Sequence, residues 1–398
     1  MDGLGAAPGR RPRRALVALC VTEVTSWGVL YYAFPVLAPA ISADTGWSTP
    51  AVTAGFSLGL VVSAAAGVPV GRLLDRVGPR PVMTGGTLLA VPATLGLAAA
   101  RTLPQFFAAW VVAGLAMAAV LYQPAFAALT RWYGPRRVAA LTILTLAAGL
   151  ASTVYAPITA ALAGHLSWRQ TYAVLAVLLA VITLPGHWLG LRLPWPPAET
   201  QTHRDHAPDA VARSAGFLAL AAAMSLAALA VYAAVVNLVP LLQQRGLSTS
   251  DAALALGLGG VGQVLGRLGY GRLTIATTVR SRTAIVLLAA AGTIVLLGLL
   301  PGPFLALVVA SVLAGATRGV VTLLQATAVT DRWGAAHYGR LNGLLAAPST
   351  FAAALAPWAG AALAGPLGGY PAVFCLLGAL AAVAAVLATV GVPTGLGR

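Results

Sequence analysis

The chain alternates between long apolar stretches and short polar segments from its beginning to its end. Twelve apolar stretches are separated by turn-like segments such as "DTGWSTP" and "LPGPF". A helix needs about 20 apolar residues to cross a bilayer, so each stretch predicts a membrane-spanning helix. The predicted spans, numbered 1 to 12, cover residues 15–40, 50–71, 82–100, 104–130, 137–163, 170–191, 214–242, 251–271, 283–300, 303–330, 337–364 and 371–391.

One long hydrophilic segment interrupts this pattern near the middle of the chain. Residues 192–213 read "RLPWPPAETQTHRDHAPDAVAR", with prolines, charges and no apolar periodicity. Such a segment is typical of an exposed linker. We therefore predict two halves of six helices each, 1–191 and 214–398, joined by a linker over 192–213.

Composition supports a membrane protein and excludes several other classes. Hydrophobic residues make up 59% of the 398 residues, charged residues make up 8%, and the mean hydropathy is +0.87. The net charge of +15 comes from arginines in small scattered groups, so no nucleic-acid partner is expected. Both cysteines fall inside apolar spans, and no metal-ligand spacing, nucleophile–base pair or phosphate loop stands out. We expect no disulfide, no metal, no cofactor and no enzymatic activity.

The arginines also predict how the chain is oriented in the membrane. With the N-terminus inside, the inner segments hold 19 arginines and the outer segments hold three, namely Arg101, Arg169 and Arg245. Basic segments stay on the cytoplasmic side according to the positive-inside rule. We expect a monomeric, multi-pass protein of the plasma membrane, surrounded by the lipid bilayer, with both termini in the cytoplasm.

The two halves resemble each other at an offset of about 200 residues. "GRLLDRVGPR" over 71–80 is answered by "GRLTIATTVR" over 271–280, and Pro157 is answered by Pro357. The alternative is chance similarity between apolar helices, but chance would not also bring the arginines into register. An even number of spans separates the halves, so both run in the same direction. The chain resembles the major facilitator superfamily, which implies an all-α membrane fold of twelve transmembrane helices in two pseudo-symmetric six-helix bundles.

The segment 71–80 resembles the motif of that superfamily between spans 2 and 3, G-x-x-x-D-R-x-G-[RK]-[RK]. The matching residues are Gly71, Asp75, Arg76, Gly78 and Arg80, and Gly271 opens the second copy. The resemblance implies a latch at the inner gate, in which Asp75 meets Arg76, Arg80 or the N-terminal end of span 11. The alternative is that these arginines only set the topology. Ile275 stands where the second copy would have its acid, so only the first half is expected to carry the latch.

Three charged residues lie inside predicted spans, namely Glu23, Arg267 and Arg318. A charge at the bilayer centre costs about 2.5–3.5 kcal/mol, so such residues mark a transport path by default. In the superfamily, spans 1, 4, 7 and 10 line the central cavity, which implies that Glu23 and Arg318 face each other. Their ion pair would be a switch or, alternatively, a structural bridge. We expect Arg267 to lie closer to the cytoplasm, about 7 Å from the inner face.

A closer resemblance, to the monocarboxylate and oxalate–formate transporter branch, concerns the substrate. It rests on the region of spans 4 and 5, through Gln123, Pro124, Arg131, Trp132, Tyr133, Arg136, Arg137 and Ala140. The branch has an arginine four residues before the glycine of the second motif copy, as Arg267 precedes Gly271. The resemblance implies that this arginine binds a substrate carboxylate. Gln263 stands where the branch often has an acid, so Glu23 is the expected proton carrier.

Further polar residues on the presumed cavity helices are weaker candidates for substrate contact. They are Tyr31, Tyr32, Gln123, Tyr232, Asn237 and Gln325. We predict a secondary transporter that moves a small monocarboxylate-like anion by alternating access, as a proton symporter. The alternatives are a proton-driven drug or metabolite exporter and a membrane receptor that transports nothing. The exporter signature G-P-x-x-G-G of span 5 reads "YAPITAA" here, which counts against an exporter.

Overall fold

The structure is a computed structural model that describes residues 10–195, 211–333 and 338–390. Over these residues it contains twelve helices that are long and apolar enough to cross a membrane, which confirms the predicted number of spans. They are α1 Pro12–Thr45, α2 Thr49–Val77, α3 Pro79–Ala99, α4 Leu103–Tyr133, α5 Arg137–Ala163, α6 Trp168–Gly190, α7 Ala215–Val236, α8 Thr249–Ala276, α9 Val279–Leu299, α10 Phe304–Thr327, α11 Leu341–Ala364 and α12 Tyr370–Thr389. Most of the predicted linker, residues 196–210, lies outside the described residues.

Capping sequences determine where several spans begin. Before α4, the Thr102 hydroxyl accepts a hydrogen bond from the backbone N–H of Gln105, and the Gln105 side chain accepts one from the backbone of Thr102. Ser167 and Gln170 form the same reciprocal pair before α6. The first N–H groups of a helix have no partner within the helix, so these pairs fix the turns between consecutive spans.

Two helices run beyond the apolar stretches that predicted them. The sequence predicts an end at residue 71 for α2 and at residue 271 for α8, whereas the helices end at Val77 and Ala276. Arginine and leucine are good helix formers, so the helix continues after the apolar pattern stops. The acid and the first arginines of the motif therefore lie in the last turns of α2. Gly78, with a φ of 83°, forms the bend that follows.

Several spans are interrupted, within their length or at their end. α1 contains a π-helical turn at Gly28–Tyr32. α4 breaks at Leu121, which has an extended backbone, and Asn237 separates α7 from the short helix Leu238–Gln244. A proline follows each of the last two breaks within one turn, Pro124 and Pro240, and proline cannot donate a helical hydrogen bond.

Contacts between helices group the described residues into two compact units. The first unit consists of residues 10–37 and 58–195, and the second consists of 38–57, 211–333 and 338–390. The hairpin that joins α1 to α2 thus belongs to the second unit, where the Ser57 hydroxyl accepts a hydrogen bond of 3.1 Å from the backbone of Trp358. The linear division into 1–191, 192–213 and 214–398 stays a prediction.

Glycines bring helices of the first unit into van der Waals contact. A Cβ on Gly114 of α4 would collide with the carbonyl oxygen of Gly59 of α2, and a Cβ on Gly59 would lie 2.9 Å from the carbonyl oxygen of Trp110. Gly186 of α6 faces Thr22 of α1 in the same way. Lipid is as apolar as the helices, so association in a membrane relies on such close packing.

The second unit repeats this arrangement between α8 and α10. A Cβ on Gly315 would collide with the carbonyl oxygen of Gly259, which repeats the contact of Gly114 on Gly59 at the predicted offset of about 200 residues. Further along α8, Gly266 faces the backbone of α10. The internal duplication therefore extends from the sequence to the contacts between helices.

Two of the three arginines on the predicted outer side hold the ends of helices. Arg169 donates a hydrogen bond of 2.9 Å to the carbonyl oxygen of Ala100, and Arg245 donates one of 2.6 Å to that of Gly298. Ala100 and Gly298 lie at the ends of α3 and α9, which are corresponding helices of the two halves. A cation at the C-terminal end of a helix satisfies free carbonyl groups and balances the helix dipole.

Candidate functional site

The two span arginines of the second unit lie at the same level of two neighbouring helices. Arg267 is nine residues from the end of α8 at Ala276, and Arg318 is nine residues from the end of α10 at Thr327. The two helices run in the same direction, so each arginine lies about 14 Å from that end. This is a distance along each helix to its end, and the depth of Arg267 at about 7 Å from the inner face stays a prediction.

Gln263 connects α8 to α10 at this level. Its side-chain oxygen accepts a hydrogen bond of 2.8 Å from Nη2 of Arg318. Gln263, Arg267 and Arg318 are all buried, with 5% to 7% of their surface exposed. Gly319 makes this contact possible, because a side chain at position 319 would collide with the carbonyl oxygen of Gln263 and push the helices apart.

The described spans of this unit carry no acidic residue at the level of the two arginines. Its described acidic residues all lie at or beyond helix ends, and they are Asp44, Asp251 and Asp331. A cavity of about 30 Å³ between α7, α8, α9 and α10 reaches Arg318. Two buried arginines at one level favour an anionic ligand.

Glu23 lies in α1 of the first unit and is fully buried. The indole N–H of Trp27, one turn further along α1, faces the carboxyl group but does not reach hydrogen-bond geometry. Across the described residues, neither carboxyl oxygen of Glu23 has a hydrogen-bond partner, and the same holds for the buried hydroxyl groups of Ser26 and Ser152. Buried polar groups are normally satisfied, so these groups are candidates to bind a proton or a polar ligand.

Aromatic rings of α1 and α4 form a continuous cluster beside Glu23. The ring of Trp27 lies 5.4 Å from that of Tyr31 and 5.0 Å from that of Tyr122. Tyr32 and Phe126 extend the cluster, at 5.1 Å from Tyr31 and 5.0 Å from Tyr122. Tyr31 and Tyr32 are candidates from the sequence, whereas Trp27, Tyr122 and Phe126 are found only in the structure. The one-turn spacings 27–31 and 122–126 were the available signal for them.

The remaining polar candidates of the second unit have different surroundings. Asn237 is 1% exposed, and its amide nitrogen donates hydrogen bonds to the carbonyl oxygens of Ala233, at 2.9 Å, and Pro357, at 3.4 Å. This geometry holds α11 against α7. Tyr232 and Gln325 are partly buried. Their contact with a substrate stays a prediction.

Gln123 lies beside a larger cavity in the first unit. This cavity of about 190 Å³ lies between α2 and α4, and its walls include Gly67, Gly71, Asp75 and Gln123. The side-chain oxygen of Gln123 would be 3.0 Å from a Cβ on Gly67. Gly67 corresponds to Arg267 in the duplication, so the first half has no side chain at the position where the second half has an arginine.

The acid of the motif pairs with a residue that the sequence analysis did not name for it. Asp75 forms an ion pair with Arg131, near the end of α4. The predicted partners are elsewhere: Arg76 is exposed, and Arg80 donates a hydrogen bond of 3.0 Å to the carbonyl oxygen of Trp188 and lies over its ring. Consecutive residues of a helix point in different directions, so Asp75 and Arg76 do not face each other.

The glycines that open the two motif copies, Gly71 and Gly271, lie within α2 and α8 and not in loops. A Cβ on either residue would meet no atom within 4 Å. Close packing therefore does not require glycine at these positions, and their role in gating stays a prediction.

The beginning of the linker covers the ion pair of the first unit. Trp195 donates a hydrogen bond of 3.2 Å from its indole N–H to the carbonyl oxygen of Asp75, and the Arg131 guanidinium lies 4.2 Å from the centre of its ring. A Cβ on Gly78 would lie 3.0 Å from the same indole. The motif, the end of α4 and the linker thus form one connected cluster.

The second unit has an acid at the corresponding end, but at another position. Asp331, four residues after α10, forms an ion pair with Arg282 of α9. Arg332 is buried beside it and donates a hydrogen bond of 3.0 Å to the Thr283 hydroxyl. Burial lowers the pKa of Arg332 to about 10, so it remains charged at neutral pH. The second unit therefore has Ile275 where the motif would place an acid, and its acid, Asp331, lies four residues after α10.

Comparison with known proteins identifies the family of the chain. A family model described as Major Facilitator Superfamily matches residues 19–305. The chain belongs to the major facilitator superfamily. This superfamily consists of membrane transporters.

Several relatives within the superfamily are monocarboxylate transporters. The chain is 27% identical to Monocarboxylate transporter 13 of Bos taurus over 265 residues, which cover 64% of this chain and 58% of that protein's length. It is 25% identical to Monocarboxylate transporter 3 of Rattus norvegicus over 329 residues, or 80% of this chain and 67% of the relative. Multidrug resistance protein MdtL of Shigella dysenteriae is 31% identical over 174 residues, or 42% and 43% of the two chains.

Solved structures of other transporters share the fold. A bacterial homologue of the human lysosomal transporter Spinster, inward-facing and unoccupied, matches with a TM-score of 0.69 and 15% identity over 97% of this chain and 96% of that one. The nucleoside transporter NupG matches with a TM-score of 0.72 and 14% identity over 95% and 99% of the two chains. These matches confirm the predicted all-α fold with twelve spans.

Proposed function

We propose that the chain is a secondary active transporter that moves a small monocarboxylate-like anion across the plasma membrane by alternating access. The observation that carries this proposal is the pair of buried arginines, Arg267 and Arg318, at one level of α8 and α10. A guanidinium group is always charged at neutral pH and binds a carboxylate through two parallel hydrogen bonds. The names of the monocarboxylate transporter relatives support the same substrate class.

Proton coupling, in the symport direction, is the second part of the proposal. Among the described residues, Glu23 is the only acid in the middle of a span, and it is buried without a hydrogen-bond partner. A carboxyl group in such a place exchanges its proton when its surroundings change, as they do in alternating access.

The net charge of the span residues favours an order in which the proton binds before the anion. The three span residues, Glu23, Arg267 and Arg318, carry a net charge of +1 when Glu23 is ionised and +2 when it is protonated. Proton binding therefore strengthens the attraction of the transporter for an anion. Direct pairing of Glu23 with Arg318 stays a prediction.

A proton-driven exporter of drugs or metabolites is the second candidate function. The aromatic cluster around Trp27 and Tyr122 lies beside Glu23, and a cluster of aromatic rings suits a larger apolar substrate. The similarity to Multidrug resistance protein MdtL favours the same candidate. An exporter of this kind would depend on Glu23 and the aromatic rings but not on the two arginines.

Transport by the purified protein separates these candidates. Proteoliposomes are offered radiolabelled monocarboxylates and dicarboxylates, and in parallel a cationic dye, with and without an imposed pH gradient. We expect uptake of a monocarboxylate that is faster when the outside is acidic. Dye movement without carboxylate uptake overturns the proposal in favour of the exporter, and movement of neither solute favours the receptor.

The distribution of arginines supports an orientation with both termini in the cytoplasm, while a plasma-membrane location and a monomeric state stay predictions. The test introduces one cysteine at a time into a variant in which Cys20 and Cys375 are alanine. A membrane-impermeant thiol reagent applied to intact cells should label a cysteine at Arg101 and leave one at Arg14 unlabelled. The reverse labelling pattern contradicts this orientation.

A further inference from the structure

The carbonyl oxygen of Asp75 lies in the last turn of α2, where the helix itself cannot supply it with a donor. Its regular partner would be the backbone N–H four residues later, but that residue is Pro79, which has no N–H group. The indole N–H of Trp195 donates a hydrogen bond of 3.2 Å to this oxygen instead. A residue at the start of the linker thus satisfies a helix end that the motif leaves open.

The same indole also contacts the arginine of the ion pair. The Arg131 guanidinium pairs with Asp75 and lies 4.2 Å from the centre of the Trp195 ring. An exposed ion pair contributes little by itself, because holding two flexible side chains in one geometry costs conformational entropy. The face of an aromatic ring attracts a guanidinium and so restricts it. Trp195 therefore contacts both members of the pair, one through its N–H group and one through its ring.

The surroundings of Trp195 fix its own position. Its ring lies against Gly78, where a Cβ would come within 3.0 Å of the indole, so a side chain at position 78 would push the ring away. Trp132, next to Arg131 in α4, donates a hydrogen bond of 3.1 Å to the carbonyl oxygen of Pro194. The rings of Trp132 and Trp195 also meet edge to face, with their centres 6.3 Å apart. Two tryptophans thus dock the start of the linker on the motif.

The second unit anchors the other end of the linker with the corresponding tryptophan. Trp333 follows Arg332 as Trp132 follows Arg131 in the duplication. Its ring lies 5.5 Å from that of Phe217, in the first turn of α7 just after the linker. Each end of the linker is therefore held by an equivalent tryptophan, near the end of α4 or of α10, which indicates that this docking belongs to the duplicated fold.

We infer that Trp195 is a positioning residue for the ion pair between Asp75 and Arg131, and that the rate of the transport cycle depends on it. Pro79 stands where the motif has a basic residue, and the linker supplies the contact that this part of the motif lacks. Trp195 belongs to the first unit and the arginine site to the second, so this role goes beyond the proposed function and is independent of which solute the chain moves.

Uptake of radiolabelled lactate, a monocarboxylate, by purified variants in proteoliposomes tests the role in transport. Trp195→Leu removes the ring and the N–H group, so we expect the maximal rate to fall about fivefold while KM stays within about twofold. Trp195→Phe keeps a ring for the guanidinium but loses the N–H group, and its rate should lie between the two. Trp47→Leu, the same change at a partly buried position beyond the opposite end of α2, should keep the wild-type rate. A wild-type rate in Trp195→Leu overturns the inference.

A double variant separates positioning of the pair from a general loss of stability. If Trp195 acts through the ion pair, Trp195→Leu should lower the remaining rate of the Asp75→Asn variant by less than about twofold, because that variant has no ion pair left to position. The same fold-loss in the wild-type and Asp75→Asn backgrounds would place the action of Trp195 elsewhere and overturn the inference.

Hydrogen exchange in detergent tests the contact without any substrate. The amides at the end of α2, including the N–H of Gly78 that bonds to the carbonyl oxygen of Leu74, should exchange faster in Trp195→Leu than in the wild-type protein or in Trp47→Leu. Unchanged exchange in Trp195→Leu overturns the positioning contact even when lactate is transported. If the wild-type protein takes up no monocarboxylate, the proposed function fails, while faster exchange in Trp195→Leu still supports the positioning contact.

Discussion

Asp75, at the end of α2, forms an ion pair with Arg131, at the end of α4, and 58% of the Asp75 side chain is exposed. The counterpart in the second unit joins Arg282 to Asp331, and here the two side chains are only 6% and 23% exposed. Each unit thus has an ion pair at the same end of its described helices, and the pair of the second unit is more buried than that of the first. The two pairs should therefore respond differently to the loss of their acid.

Loss of the exposed acid should affect transport more than stability. Exposed ion pairs contribute about 0–1 kcal/mol, so Asp75→Asn should lower the free energy of unfolding by less than about 1 kcal/mol. If the motif is a latch, the variant should still lose most of its transport rate. The measurements are chemical unfolding and uptake, with Arg72→Gln, a change of an exposed arginine on the same helix, as the control. Full uptake by Asp75→Asn would leave the motif with a role in topology alone.

Loss of Asp331, the acid of the more buried ion pair, should affect stability strongly. Asp331→Asn leaves Arg282 buried without its partner, and breaking a buried pair costs about 3–5 kcal/mol. The double substitution with Arg282→Met should recover part of this loss, because it removes the unpaired charge. Both values come from unfolding in detergent. A loss no larger than that of Asp75→Asn would contradict the difference in burial.

The glycine contact between α8 and α10 predicts a steric effect. Gly315→Ala places a methyl group against the carbonyl oxygen of Gly259, and overpacking of this kind costs about 1–3 kcal/mol. Gly292→Ala in α9 is the matched control, because its Cβ would meet no atom within 4 Å. Alanine is the better helix former, so the control should be neutral or stabilising by up to about 1 kcal/mol. Equal melting temperatures of the two variants would show that α8 and α10 are further apart.

Glu23 should be the group that links uptake to protons. Glu23→Gln keeps the shape of the side chain but cannot bind or release a proton, so net uptake should lose its dependence on an imposed pH gradient while anion exchange continues. Asp251→Asn, which removes an acid at the first turn of α8, is the control and should keep the dependence. If uptake by the Glu23→Gln variant still depends on pH, another group carries the proton.

The sequence predicts the number of spans, the duplication and the two arginine-bearing helices, because hydropathy and charge are local properties. It underestimates the length of α8, because the helical backbone continues after its apolar pattern ends. It misses the partners of Asp75 and Arg318, because Arg131 and Gln263 lie 56 and 55 residues away from them and only packing brings each pair together. The glycine pattern on α8 and α10 was the available signal for the second pair.

Uptake by the Arg267→Lys variant tests the central claim most directly. Lysine keeps the positive charge but cannot form two parallel hydrogen bonds, and Arg272→Lys makes the same change at an exposed position five residues further along α8. The account predicts that Arg267→Lys inserts into the membrane normally but loses most of its monocarboxylate uptake in proteoliposomes, while Arg272→Lys keeps the wild-type rate. Equal, wild-type uptake by both variants would contradict the assignment of α8 and α10 as the anion site.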